Sequence, residues 1–439
     1  MYAAVSKTRE MGAPRRKSMS SFGGWLAVIA AGAFAIRVAY LFAIARHQQL
    51  GLDSVWYTLV SGSLAHGKGV IDPRAYFGSG RAIATASHAP LYPAFLAGIT
   101  RLFNGDYSTF RLAGAIAGTL TVVLTGSIGK RISGAAVGLT AAALVAVFPS
   151  LIAVDGALMS ETVAIPLLLG AVWVALVAIE RPAWSRFAIV GALLGLTMLA
   201  RADALAAAVC VVVPMAVLAA RRWSRRCAFA LIAIGGSAVV VMPWVLRNEA
   251  HFGRFVVATT STSRTVAGAN CSASYGGALI GDWDAACGAD PVGPTSEIAV
   301  YDEQMTRGID YARGHMTRLP RVVAVRELRE FGLFRPRQQA HLEAIETRSY
   351  HWQLLAWACW LPAMALGTGG FVVMIRRRVQ SVWVLLGVIA SVVLVAALGH
   401  GNQRFRTACE PVVLVAAGVA IVRLRRGREL LSSRSVNTT

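Results

Sequence analysis

Ten runs of almost unbroken apolar residues decide what this chain can become: 25–45, 110–129, 134–152, 162–179, 187–200, 203–220, 227–246, 352–375, 380–399 and 408–424. A helix rises ~1.5 Å per residue, so about 20 apolar residues cross the ~30 Å hydrocarbon core of a bilayer. Within that core a helix satisfies all its backbone hydrogen bonds along one segment. The expected fold is therefore an all-α polytopic membrane protein with about 10 transmembrane helices. The runs 187–200 and 203–220 are short for a crossing. A further run, Pro90 to Phe103, is shorter still and interrupted by Pro93; the count becomes eleven if 90–103 crosses.

The charged residues settle that question and exclude a class of partner. A net charge of +21 over 439 residues would suit a nucleic-acid binder, yet the basic residues form no single patch. They punctuate the apolar runs, as short inner loops do under the positive-inside rule. If 90–103 does not cross, the inner side collects Lys7, Arg9, Arg15, Arg16, Lys17, Lys130, Arg131, Arg181, Arg186, Arg221, Arg222, Arg225 and Arg226. It also collects Arg376–Arg378, Arg423, Arg425, Arg426, Arg428 and Arg434, against only Glu10, Glu180 and Glu429. If it does cross, every cluster from Lys130 onward moves outside. The first arrangement is expected, with both termini inside, 90–103 interfacial or re-entrant on the outer face, and no nucleic-acid partner.

Five segments follow from this reading. Residues 1–24 form a basic cytoplasmic tail, and the run that follows is too long for a cleaved signal core, so it reads as an uncleaved anchor. Residues 25–246 form an N-terminal transmembrane module that includes an outer loop, 46–109, with juxtamembrane helices. Residues 247–351 form a large mixed extracytoplasmic loop, whose part 247–350 carries twelve basic and twelve acidic residues. Residues 352–424 return to membrane helices and 425–439 end the chain inside. Cys271 and Cys287 share the large loop, where an oxidising compartment favours a disulfide worth ~3 kcal/mol. Cys210, Cys227, Cys359 and Cys409 read as small buried hydrophobes, and no zinc-type Cys/His spacing is present.

Chemistry concentrates at the outer span ends. Asp53 follows the first span closely; it is either the cap of a helix over Ser54–His66 or a general base at the membrane surface. Asp155 and Glu161 fall in a short outer turn, where they bind an acceptor, a cation or a basic residue, or else cap the next helix. Arg201, Arg247, Arg404 and Arg406 lie at outer ends, and Arg37 in the outer half of the first span. A guanidinium fork matches phosphate oxygens, while snorkelling to headgroups is the plainer role for any single arginine. His88, just before Pro90, is on its own spacing a loop histidine. Tyr57 and most outer aromatics fit an interfacial belt.

Several fragments taken together resemble a known family. They are Asp53-Ser54-Val55-Trp56-Tyr57, His88-Ala89-Pro90-Leu91-Tyr92-Pro93, Arg111-Leu112-Ala113-Gly114 with Gly129-Lys130-Arg131, Phe148-Pro149-Ser150 and Met159-Ser160-Glu161. Leu199-Ala200-Arg201-Ala202-Asp203, Pro243-Trp244-Val245-Leu246-Arg247-Asn248 with Phe252-Gly253-Arg254-Phe255, and Asn402-Gln403-Arg404-Phe405-Arg406 with Glu410-Pro411 complete the set. In order and spacing the chain resembles a bacterial membrane glycosyltransferase of the C-type superfamily. Within it the likeness is to family 39, the protein O-mannosyltransferases and lipid A aminoarabinose transferases. The resemblance implies a polyprenyl-phosphate-linked sugar as donor, an envelope glycan or protein as acceptor, and an active site on the extracytoplasmic face of the cytoplasmic membrane. It implies Asp53 as the catalytic residue, with Tyr57, Asp155 and Glu161 toward the acceptor. His88, Arg201, Arg247, Arg404 and Arg406 fall toward the donor phosphate. Many relatives carry Lys-Pro-Pro where this chain has His88-Ala89-Pro90, and some carry a second carboxylate where it has Val55.

The chemistry so implied is a single inverting displacement in which Asp53 deprotonates the acceptor hydroxyl and arginines stabilise the leaving phosphate. No cofactor is required, and a divalent metal is left open. The competing readings are a transporter or flippase of lipid-linked glycan and a non-catalytic membrane protein of envelope assembly. A transporter would show an inverted repeat, broken helices and midplane charges. Here the ionisable residues gather at span ends.

Overall fold

The structure, a computed structural model, describes residues 17–103, 105–290 and 296–436, with side chains from residue 22 to 425. The basic residues Lys7, Arg9, Arg15 and Arg16 lie outside the described residues, as do the side chains of Arg426, Arg428, Glu429 and Arg434. Among the described residues the only β pairing is an isolated bridge between Ile71 and Ala84. All else that is regular is helix.

The chain opens with α1 (Lys17–Ala43), then α2 (Leu52–Ala65), α3 (Pro73–Ser79) and α4 (Leu91–Leu102). The long α5 (Tyr107–Ser133) starts at Asp106, whose side chain accepts from Thr109 N at 2.6 Å. Then come α6 (Ala135–Ala146), α7 (Pro149–Gly156), α8 (Glu161–Glu180), α9 (Trp184–Ala200), α10 (Ala204–Ala219) and α11 (Trp223–Phe252). The large loop carries α12 (Thr262–Ala269), α13 (Glu297–Gly314), α14 (Leu319–Glu330) and α15 (Pro336–Ala344). The chain finishes with α16 (Tyr350–Arg376), α17 (Val382–Leu398), the single turn α18 (Gln403–Arg406) and α19 (Glu410–Val436).

Every apolar run of the sequence is helical, but not every one is a straight crossing. The helices α1, α5, α8, α11 and α16 are long and apolar enough to cross by themselves, and α9, α10 and α17 are shorter. The run 134–152, expected as one span, is broken: α6 and α7 meet at a bend of 55°. Pro149, at the first position of α7, cannot continue the ladder of α6, so the chain turns there. The helix α4 has 12 residues, or ~18 Å, too short for a crossing.

Contacts between the two outer loops agree with an α4 that does not cross. Thr260 N donates to Ala86 O at 2.9 Å, and Ala86 N donates to Glu297 Oε1 at 2.9 Å. The loop before α4 and the loop after α11 therefore occupy one side. Between them run α5, the bent α6–α7 pair, α8, α9, α10 and α11, an even number of passages where each crosses once. A crossing by α4 would make the number odd and part the two loops.

Close helix approach rests on small residues, as is usual where lipid gives no hydrophobic push between helices. A Cβ on Gly191 of α9 would lie 1.9 Å from Ala233 O of α11. On α5, a Cβ on Gly114 would lie 2.2 Å from Asp155 O, so α7 sits directly against the α5 backbone.

Candidate active site

The first turn of α2 begins earlier than the sequence suggests. Gly51 is the N-cap and Asp53 the second helical residue, so its carboxylate is not a backbone cap. It faces two basic side chains instead: His88 Nε2 lies 3.4 Å from Oδ1, and Arg404 Nη1 donates to Oδ2 at 3.3 Å. The Asp53 side chain keeps 40% of its surface open. Burial would raise its pKa, but the His88 hydrogen bond and charge and the Arg404 guanidinium outweigh it and hold the carboxyl well below the usual range. His88 is fixed by stacking on Trp56, with centroids 4.2 Å apart, and by Ser87 Oγ at 3.2 Å from Nδ1. Tyr57 is buried, edge-on to His88, with its hydroxyl 3.4 Å from Ser160 Oγ. Burial first, then the Asp53 charge, pushes its phenol upward, so it stays a neutral hydrogen-bonding group.

Arg404 is the hub. Its Nε donates to Glu161, while Nη1 serves both Asp53 and Glu346, the latter at 3.2 Å. Glu161 opens α8 and is buried; its other cation is Arg201, at 2.6 Å. Arg201 also pairs with Asp203 at 2.6 Å. Residues far apart in sequence thus converge: the start of α2, the loop before α4, the start of α8, the α9–α10 turn, the segment after α15, and α18.

The segment after α15 carries the residues that sequence reasoning missed. Thr347 has a φ of 67°, a left-handed conformation that a β-branched residue adopts only when its surroundings impose it. Here they do: Thr347 Oγ1 accepts from Gly51 N at 2.6 Å and shares a hydrogen bond with Ser54 Oγ at 3.0 Å. A Cβ on Gly51 would lie 2.9 Å from Glu346 Cα, so the absence of a side chain admits this segment against the start of α2. Arg348 is buried and donates to Glu343 at 2.9 Å, while its Nε and Nη2 have no partner among the described residues. These residues sit in a charge-balanced loop with no periodicity, so only the tertiary fold identifies them.

Below the charged cluster lies a narrow cleft. Glu161, Arg201 and Asp203 line its polar head, and Ile165 and Leu168 of α8, Ala207 of α10 and Val392 and Val395 of α17 line its apolar body. Its lining pairs charge with apolar surface, the chemistry that an anionic head on an apolar chain would meet.

Other residues expected at the site are held elsewhere. Arg247 spends its fork on loop carbonyls, Thr85 O at 2.9 Å and Val70 O at 2.8 Å, and lies over the Trp244 ring. It fastens the first outer loop to α11. Arg406 is buried, with Nε on Glu410 at 2.9 Å and its guanidinium 4.4 Å above Trp360. Asp155 is not in an exposed turn; it lies within α7, buried and paired with Arg37 at 2.6 Å. Burial forces each of these charges to take a neighbour inside the protein. Cys271 and Cys287 are joined as a disulfide in the large loop. Asp284 lies beside them, and with both sulfurs bonded to each other it is the one metal ligand left of that trio among the described residues.

Residues 87–246 match the family model described as dolichyl-phosphate-mannose-protein mannosyltransferase. No curated protein matches the sequence. Among solved structures, the apo oligosaccharyltransferase of Archaeoglobus fulgidus is similar, with a TM-score of 0.56 at 14% identity over 96% of this chain and 53% of that one. The archaeal oligosaccharyltransferase AglB from Archaeoglobus fulgidus, in complex with an inhibitory peptide and a dolichol-phosphate, gives 0.54 at 13% identity over 94% of this chain and 52% of that one. This chain spans about half the length of these structures, and at such identity they share its fold. The likeness is thus to the mannosyltransferase family model by sequence in 87–246 and to the oligosaccharyltransferase by fold across nearly the whole chain.

Proposed function

We propose that this chain is a membrane glycosyltransferase that moves a sugar from a polyprenyl-phosphate donor to an acceptor hydroxyl on the extracytoplasmic face of the cytoplasmic membrane. One observation carries the reading: a partly open carboxylate, Asp53, stands at a cluster of arginines that heads an apolar cleft opening between membrane helices. The donor's isoprenoid lies in the cleft between α8, α10 and α17, with its phosphate toward Arg201 and Arg404. The mannosyltransferase family match and the fold shared with an oligosaccharyltransferase that binds dolichol-phosphate support a lipid-linked donor.

The reaction then needs few parts. The acceptor oxygen attacks the anomeric carbon on the side opposite the phosphate. As that bond forms, the hydroxyl proton passes to Asp53, and the carbon–oxygen bond to phosphate breaks with its electron pair leaving on phosphate. Arg201 and Arg404 stabilise the developing charge. A lipid phosphate is a good leaving group, so no acid is needed, and one displacement inverts the anomeric centre. His88, stacked on Trp56, orients Asp53.

The test is transfer from a synthetic polyprenyl-phosphate sugar by the purified chain in lipid nanodiscs. Asp53→Asn keeps shape and removes the base. Transfer by the wild type with a loss of at least ~100-fold in the variant is expected. Undiminished turnover by Asp53→Asn overturns the mechanism.

A further inference from the structure

Proton transfer to Asp53 leaves one carboxylate at the mouth without a task. Glu346 Oε2 and Asp53 Oδ2 accept from the same nitrogen, Arg404 Nη1, at 3.2 and 3.3 Å. Their side chains are 32% and 40% exposed, so both reach water. Their spacing is not left to a mobile loop. The strained Thr347, its bond to Gly51 N and the close fit of Gly51 to Glu346 lock the segment onto the first turn of α2. Backbone strain of this kind costs ~1–3 kcal/mol and persists only where packing over-determines it. Here it fixes the position of Glu346 relative to Asp53.

The two carboxylates differ as proton acceptors. Asp53 is held as an anion by His88 and Arg404, so a proton it takes up is held weakly. Glu346 is raised, by burial first, then opposed by Arg404 and Arg348 and assisted by the charges of Asp53 and Glu343. Glu161 faces it from the other side of Arg404, which it shares. An effective acceptor has a pKa near the working pH. Two carboxylates on one guanidinium also titrate as a coupled pair, each charge favouring protonation of the other.

We propose that Glu346 is a second carboxylate of the reaction centre and receives, by way of Asp53, the proton of the acceptor hydroxyl; this rests on the sugar-transfer reading. The proton leaves the acceptor oxygen for Asp53 as the glycosidic bond forms. It passes from Asp53 to the Glu346 carboxylate and then to solvent, which restores both anions. No further reactant is consumed.

The experiment compares wild type, Glu346→Gln and Asp53→Asn by turnover against pH, with binding of the polyprenyl phosphate measured for each. Gln keeps an oxygen for Arg404, so phosphate binding is expected unchanged. Turnover of Glu346→Gln should fall roughly 10-fold or more. A group that must be ionised sets the acid limb of the profile at its own pKa. Removing the more basic member therefore moves that limb to lower pH. Wild-type turnover, or a loss with the acid limb unmoved, means that Glu346 merely holds Arg404 and overturns the proposal. Inactive Asp53→Asn beside normal Glu346→Gln sinks this proposal alone. Active Asp53→Asn sinks the reading beneath it.

Discussion

Asp53 and Arg404 stand 351 positions apart in sequence and meet at 3.3 Å. The contact joins the first outer loop to the last, and the same guanidinium holds Glu161 and Glu346. Arg404→Gln is expected to cost ~3–5 kcal/mol of stability, because Glu161 is buried and loses one of its two cations. Turnover should fall ~100-fold, as when a preorganised charge stabiliser is removed. Asp53 and Glu346 are both lowered by Arg404, so the acid limb of any remaining activity should move to higher pH. Thermal unfolding in nanodiscs and a pH–rate series check the three effects.

Arg247 should behave as a fastening, not as a phosphate clamp. Arg247→Ala strips Thr85 O of its donor and Val70 O of one of its two, Thr85 N remaining, at about 1–3 kcal/mol if Thr85 O stays buried. The expected result is faster proteolysis between residues 68 and 86, with donor KM close to wild type. A donor KM raised tenfold with proteolysis unchanged would restore Arg247 to the phosphate site.

The Arg37–Asp155 pair should be structural. Gly118 of α5 lies so close that its Cβ would stand 1.8 Å from Asp155 Oδ2 and 2.6 Å from Arg37 Nε. Gly118→Ala must therefore push the pair apart. Asp155→Asn leaves Arg37 buried against a neutral partner, at ~3–5 kcal/mol. Both variants are expected to unfold at lower temperature while activity per folded molecule is retained. Selective loss of turnover at unchanged stability would return Asp155 to the reaction.

The sequence made the membrane helices legible because periodicity is not needed to see them: an apolar run of the right length has few alternatives in lipid. It also pointed to Glu161, Arg201 and Arg404 as charges gathered at outer span ends, and to Asp53 and His88 through the family resemblance. The same argument selected Arg247, Arg406 and Asp155, because position along a span says nothing about direction around it. What the sequence hides is which charges pair. Glu346 and Arg348 were invisible among the balanced charges of the large loop, and Thr347 shows its strain only through its φ. The break before Pro149 was masked by a continuous apolar composition.

The expected sidedness rests on the charge census, and labelling tests it. Basic clusters at Lys130, Arg131 and Arg376–Arg378 fit the inner side. The loop-to-loop bonds of Ala86 with Thr260 and Glu297 put the first outer loop and the large loop, and with them Asp53 and Glu346, on one face. Ser133, at the end of α5, and Ala299, on α13, are both exposed and lie on opposite faces in this arrangement. In a background lacking Cys210, Cys227 and Cys359, a membrane-impermeant thiol reagent added to intact cells or spheroplasts should modify Ala299→Cys. Ser133→Cys should react only after the membrane is opened. The disulfide between Cys271 and Cys287 belongs to the same face, and an oxidising compartment would keep it closed. Labelling of Ser133→Cys from outside, with Ala299→Cys protected, would invert the arrangement. The Asp53–Arg404 cluster would then face the cytoplasm, and the donor would have to be reached from there.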